Sequence, residues 1–206
     1  MQKKAIIFDL DNTIYLVSSI GDRLFQSLFS IITESGEYSG DLDKMKAEIM
    51  RRPFQYIAEE FEFSEKLKSA CLDHLKHLTF DSTINPVENY ETIRDFSCLK
   101  FLVTTGFTTL QNSKIEQLGI ENDFEKIFII DPSETAKTKR DIFKKILIDY
   151  ELKLDEVLVV GDDLNSEIKA AKELGIESVL YDFKSVYSNT ENPKVIRNFS
   201  ELNQYI

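Results

Sequence analysis

The chain has 206 residues, 42% of them hydrophobic, which is enough for one sizeable core and a small accessory unit. Its 36 acidic against 25 basic side chains give a formal charge of −11, which argues against a nucleic-acid surface, and no uninterrupted apolar stretch approaches the ~20 residues of a membrane span. Cys71 and Cys98 fall into no Cys-x-x-Cys or disulfide framework, and charged strand residues follow Met1 too closely for a signal peptide, so the expectation is a cytoplasmic protein with reduced thiols and no evident obligate protein partner.

The first element is the apolar run Ala5-Ile6-Ile7-Phe8, which suits a buried strand and ends in Asp9-Leu10-Asp11-Asn12-Thr13. Open α/β sheets place ligands at the carboxyl ends of their strands, so two carboxylates one residue apart mark a site. They are not the start of a calcium loop, because Ile14 stands where the sharp turn needs glycine and Ile20 where a bidentate glutamate belongs.

Residues 17–84 show helical spacing and no convincing strand. Leu24, Leu28 and Ile31-Ile32 form one apolar stripe, and Leu67, Cys71, Leu72, Leu75 and Leu78 form another, so two helices can pair antiparallel. Arg51-Arg52 precedes Pro53, a residue that starts helices; a guanidinium there could grip a carboxylate or second phosphate, or could simply end a surface helix near its C-terminal dipole. His74 and His77, three apart with no obvious partner ligand, suit surface or packing roles.

Phe101-Leu102-Val103 is a second strand, leading into Thr104-Thr105-Gly106, and the helix from Thr108 to Leu118 stops at Gly119. Ile127-Phe128-Ile129-Ile130 is a third strand. The basic stretch Lys137-Thr138-Lys139-Arg140 opens a helix whose apolar face carries Phe143, Ile146 and Leu147. Val157 to Val160 leads into Gly161-Asp162-Asp163, a helix from Ser166 to Leu174 stops at Gly175, and Val179-Leu180-Tyr181 is the fifth strand. This alternation predicts a mostly parallel five-stranded sheet with helices on both faces, the core being residues 1–16 and 85–206 with residues 17–84 inserted as a helical cap.

Acid pair, hydroxyl, lysine and second acid pair, in that order, are what phosphoryl transfer requires. A carboxylate approaching a phosphate dianion meets like-charge repulsion, so a cation must neutralise both. The hard oxygen ligands Asp9, the Asp11 carbonyl and Asp162 suit Mg²⁺.

Asp9-Leu10-Asp11-Asn12-Thr13, Val103-Thr104, Lys137 and Gly161-Asp162-Asp163 resemble the four motifs of the haloacid dehalogenase superfamily. Gln111…Lys114-Ile115…Leu118-Gly119-Ile120 and Ala170-Ala171…Leu174-Gly175-Ile176 resemble the helices that follow the second and fourth motifs. The resemblance implies a Rossmann-like core, Asp9 as nucleophile of an aspartyl-phosphate, and Asp11 as general acid and base. Thr104, with Thr105 and Lys137, would bind phosphate, and Asp162 would be a metal ligand with Asp163 and Glu167 orienting its waters. Lys137 is preferred for its six-residue offset from Phe143, with Lys139 as the alternative. Halide leaving groups need no proton, so Asp11 favours phosphatase over dehalogenase chemistry, and its carboxyl must then begin protonated while Asp9 is ionised. The function expected is Mg²⁺-dependent hydrolysis of a small phosphorylated metabolite. A phosphomutase on the same scaffold and a non-enzymatic phospho-acceptor switch are the alternatives.

Overall fold

The computed structural model describes residues 2–185, 187 and 194–206. After β1 (Ala5–Phe8), helices α1 (Gly21–Leu24), α2 (Gln26–Ser35), α3 (Leu42–Ile49), α4 (Phe54–Glu60) and α5 (Glu65–His77) follow without a strand. The chain then alternates: β2 (Leu99–Thr105), α6 (Thr108–Leu118), β3 (Lys126–Ile130), α7 (Lys139–Asp149), β4 (Val157–Gly161), α8 (Glu167–Leu174), β5 (Glu177–Tyr181) and β6 (Lys194–Ile196).

The strands form one sheet in the order β3-β2-β1-β4-β5-β6, with every pair parallel. The sheet has six strands, not the five expected. The sixth is a three-residue edge strand with only Val195 and Ile196 apolar, too short to register as an apolar run, and it is held by pairing with Val179 to Tyr181. The chain winds outward from β1 to β3 on one side and from β4 to β6 on the other. The order therefore reverses between β1 and β4, the kind of switch point at which open α/β sheets bind their ligands.

Alternation along the strands builds two apolar layers. Ile6, Phe8, Leu102, Leu158 and Val160 face the layer that continues through α6 into α1–α5. Ala5, Ile7, Phe101, Val103, Val157 and Val159 face Ile142, Phe143 and Ile146 of α7 and Ala170 and Ala171 of α8. Strands covered on both faces must be apolar throughout, which is why β1 and β4 are fully buried.

The helix boundaries follow from capping. Asp41 and Ser64 accept from the backbone N–H of Lys44 and Leu67 and start α3 and α5. Gly119 and Gly175 end α6 and α8 in the left-handed conformation that glycine adopts without strain. The α6 N-terminus has no cap of its own; Asp131, beyond the end of β3, accepts from Thr108 N at 2.7 Å. Packing of α2 on α5 forms the expected helix pair, with Leu28, Ile32, Leu67, Cys71 and Leu75 all buried. No helix among the described residues is long and apolar enough to cross a membrane.

Candidate active site

Phe8, the last residue of β1, lies in register with Leu102 and Val160, so Asp9 emerges at the switch point; its N–H donates to Val160 O at 3.0 Å. The chain turns at once. Asn12 is left-handed (φ 57°), a conformation asparagine tolerates, and its Oδ1 accepts from Val17 N, while Ile14 N donates back to Leu10 O.

Two charged clusters stand at this end of the sheet. The first is built on Asp9. Lys139 Nζ donates to Asp9 Oδ1 at 2.5 Å and to Glu167 Oε2 at 2.7 Å, and one carboxylate oxygen from each of Asp9, Asp162 and Glu167 lies within 4.8 Å of the other two. Glu167 Oε1 accepts from Asp163 N at 2.7 Å. A Cβ on Gly161 would fall 2.2 Å from that oxygen, so only glycine leaves room for Glu167 here. Burial pushes the Asp9 carboxyl up to about 7; Lys139 opposes the shift and Glu167 adds to it. Asp162 is pushed up to about 8, again by burial first and then by the charges of Asp9 and Glu167.

The second cluster surrounds Asp11. Lys114 Nζ donates to both its oxygens at 2.9 and 3.1 Å, Gln111 Nε2 donates to Oδ2 at 3.1 Å, and the Tyr15 hydroxyl donates to Oδ1. Burial alone would raise the Asp11 pKa, but Lys114 and these hydrogen bonds outweigh it and hold the carboxyl below the ordinary range. This reverses the expected order of a protonated Asp11 beside an ionised Asp9. The reason is charge count: Lys139 is shared among crowded carboxylates, whereas Lys114 is ion-paired with Asp11.

A model of the haloacid dehalogenase-like hydrolases matches residues 3–175. The chain belongs to that family. A glyceraldehyde 3-phosphate phosphatase from Pyrococcus furiosus is 34% identical over 82 residues, and the matched segment spans 40% of this chain and only 34% of that protein. The enzyme of the same name from Methanocaldococcus jannaschii is 26% identical over 211 residues, covering 92% of this chain and 89% of its own. A solved haloacid dehalogenase-like protein from Streptococcus pneumoniae superposes with a TM-score of 0.75 over 98% of both chains at 20% identity, a likeness of fold.

Lys139, not Lys137, meets Asp9. Thr138 caps α7 in a reciprocal pair with Asp141, which makes Lys139 the first helical residue and sets it one turn before Phe143 on the buried face; Lys137 precedes the cap and is exposed. Thr104 is buried at 1% exposure with its Oγ1 accepting from Gln111 Nε2 at 2.6 Å, whereas Thr105 is exposed at the strand end. Glu167 joins the acidic cluster directly, while Asp163 Oδ1 accepts from Asn165 N and shapes the turn into α8.

Arg52 bridges Glu48 at 3.2 Å and Glu60 at 2.6 Å, and Arg51 lies 3.6 Å from Glu48, so both arginines of the inserted segment pair with carboxylates of α3 and α4 at the surface. His74 pairs with Ser27 across α2 and α5 at 2.8 Å, the packing role expected. Sequence reading missed the contacts to Asp11. Gln111 and Lys114 were visible only as part of a family-like helix, and Tyr15 carried no signal.

Proposed function

We propose that this chain is a Mg²⁺-dependent phosphatase that hydrolyses a small phosphorylated metabolite through an aspartyl-phosphate on Asp9. The observation that carries the reading is the cluster at the switch point: Asp9, Asp162 and Glu167 converge on one volume with Lys139 against two of them. The fit to a divalent cation follows from the charge. Burial first, and then the crowding of three carboxylates against one ammonium, leave Asp9 and Asp162 with raised pKa values, a deficit that a hard cation bound by oxygen removes. Asp9 and Asp162, with the Asp11 carbonyl, would hold the ion. When bound, Mg²⁺ supplies the positive charge that lets an anionic nucleophile approach an anionic phosphate.

The chain's own groups account for the rest. Asp9 attacks phosphorus and the ester oxygen leaves with a proton from Asp11, which Lys114 holds ionised in the free protein and which must therefore take up a proton as the phosphate dianion binds; Asp11 then takes a proton from the water that opens the acyl phosphate, and inorganic phosphate departs. Thr104 and Lys139 would hold the phosphoryl oxygens. Residues 17–84 form the cap that admits substrate and excludes water. Two relatives are named as phosphatases of glyceraldehyde 3-phosphate, which puts that ester first among candidates. The same reading makes the protein a cytoplasmic enzyme with a small-molecule substrate and no nucleic-acid or membrane partner.

The test is phosphate release from glyceraldehyde 3-phosphate and other small esters, with and without Mg²⁺, in wild type and Asp9→Asn. Metal-dependent release that is lost in Asp9→Asn is expected. Isomerisation of a sugar phosphate without free phosphate would replace this reading with a phosphomutase.

A further inference from the structure

Helix α6 carries two polar side chains into the interior. Gln111 and Lys114 are one turn apart on one face, 1% and 4% exposed, between the buried Leu110 and Ile115. A buried amide and a buried ammonium are costly unless paired, and both are paired at the site. Gln111 Nε2 donates to Thr104 Oγ1 at 2.6 Å and to Asp11 Oδ2 at 3.1 Å. Lys114 Nζ spans both oxygens of Asp11. The backbone makes room for this arrangement: a Cβ on Gly106 would sit 3.0 Å from Gln111 Cδ and 3.1 Å from its Cγ.

We propose that Gln111 and Lys114 are positioning residues for phosphoryl transfer, Gln111 turning the Thr104 hydroxyl proton toward the phosphate and the pair together fixing the Asp11 carboxyl for the leaving group. The proposal rests on the phosphatase reading above.

Donor chemistry carries it. The amide nitrogen can only donate, and its orientation is set because the amide oxygen would be repelled by the Asp11 carboxylate. Thr104 Oγ1 therefore spends a lone pair on Gln111, and its own proton is left to donate elsewhere. The two hydrogens of one amide thus tie the phosphate-binding hydroxyl to the acid/base at a fixed separation. Lys114, gripping Asp11 through both oxygens, removes the remaining rotation of that carboxyl, with the Tyr15 hydroxyl as a third donor. Neither Gln111 nor Lys114 needs to touch the substrate to matter, because a misplacement of about 1 Å in a catalytic group costs on the order of 100-fold.

The experiment compares kcat/KM for p-nitrophenyl phosphate, whose leaving group needs little protonation, with that for an alkyl phosphate, whose leaving group needs a proton. Lys114→Met should lower the alkyl value roughly 100-fold and the aryl value roughly tenfold or less, shifting their ratio as Asp11→Asn does. Gln111→Glu, which turns the donor into an acceptor and draws the Thr104 proton away from phosphate, should fall roughly tenfold below Gln111→Met with both esters. A loss from structural damage alone would lower both esters in step. An unchanged alkyl-to-aryl ratio in Lys114→Met, or Gln111→Glu no worse than Gln111→Met, overturns the proposal while an active wild type keeps the phosphatase reading. A folded wild type that releases phosphate from neither ester overturns both. Should Lys114→Met fail to fold, the two Gln111 variants leave the Lys114–Asp11 pair in place and decide the matter.

Discussion

Lys139 is 8% exposed between Asp9 and Glu167, and burial opposes its charge while the two carboxylates hold its pKa well above the ordinary lysine value. Removing one partner of a buried ion pair leaves the others uncompensated, so Lys139→Met should cost about 3–5 kcal/mol in a denaturant titration and abolish phosphate release. Lys137→Met, on the exposed segment before the cap, should stay within about 0.5 kcal/mol of wild type and keep its activity. Counting back from Phe143 in the sequence selects Lys137, because offset from an apolar residue does not reveal where the helix starts; the Thr138 cap does, and it makes Lys139 the inward residue. Asp9 and Asp162 yield a second prediction at this scale. Raised carboxyl pKa values mean that the folded metal-free protein binds more protons than the unfolded chain between about pH 4 and 8, so these two groups make its stability fall as pH rises across that window. A divalent ion competes with those protons. The rise in Tm on adding Mg²⁺ should therefore be larger at pH 8 than at pH 5, and an equal shift at both would show that the ion binds elsewhere.

At the level of elements, the junction of β4 and α8 shows how a strand end becomes part of a site. Gly161 closes the strand in register with Leu180, and Glu167, the first residue of α8, folds back over it to reach Lys139 and Asp163 N. Gly161→Ala places a methyl 2.2 Å from Glu167 Oε1 and 2.3 Å from its Cγ. Glu167 must leave, and with it the second arm of Lys139. The expected result is a loss of about 1–3 kcal/mol together with a large fall in kcat, measured by thermal melting and phosphate release. Apolar runs and glycine stops made most of the elements legible: α6 spans Thr108–Leu118 as its pattern predicts, because stripe and stop agree there. Strand β6 was not legible, since three residues carry no period and its pairing is supplied by β5. The Asp131 cap of α6 was hidden for a related reason, as it joins residues far apart in sequence that only the sheet brings together.

Over the whole molecule, the inserted helices and the sheet share one apolar cluster. Leu28, Ile32, Met45, Ile57, Cys71 and Leu75 belong to the same contiguous core as Phe8, Leu102 and Val160. Beyond α5, Phe80 N donates to Ser113 Oγ at 2.9 Å and Ile84 N to Gln117 O at 3.3 Å, tying the return segment to α6. Sequence pattern alone separates residues 17–84 from the rest because their periodicity changes there, but it cannot show that their stripes merge with the sheet's layer. Because the cluster is continuous, opening the α2–α5 pair exposes apolar surface on both sides, and the insertion should not unfold ahead of the core. Cys71 reports on this directly. Its thiol is fully buried on α5, and burial pushes its pKa up to about 11, so a thiol reagent reaches it only when the helix pair opens. With the less buried Cys98 replaced by alanine, the opening free energy from Cys71 labelling should equal the global unfolding free energy from denaturant titration. An opening free energy well below the global value would mean that the insertion melts as its own unit, with closure of the cap linked to a local folding equilibrium. Equality would mean that any motion admitting substrate leaves the α2–α5 pair packed.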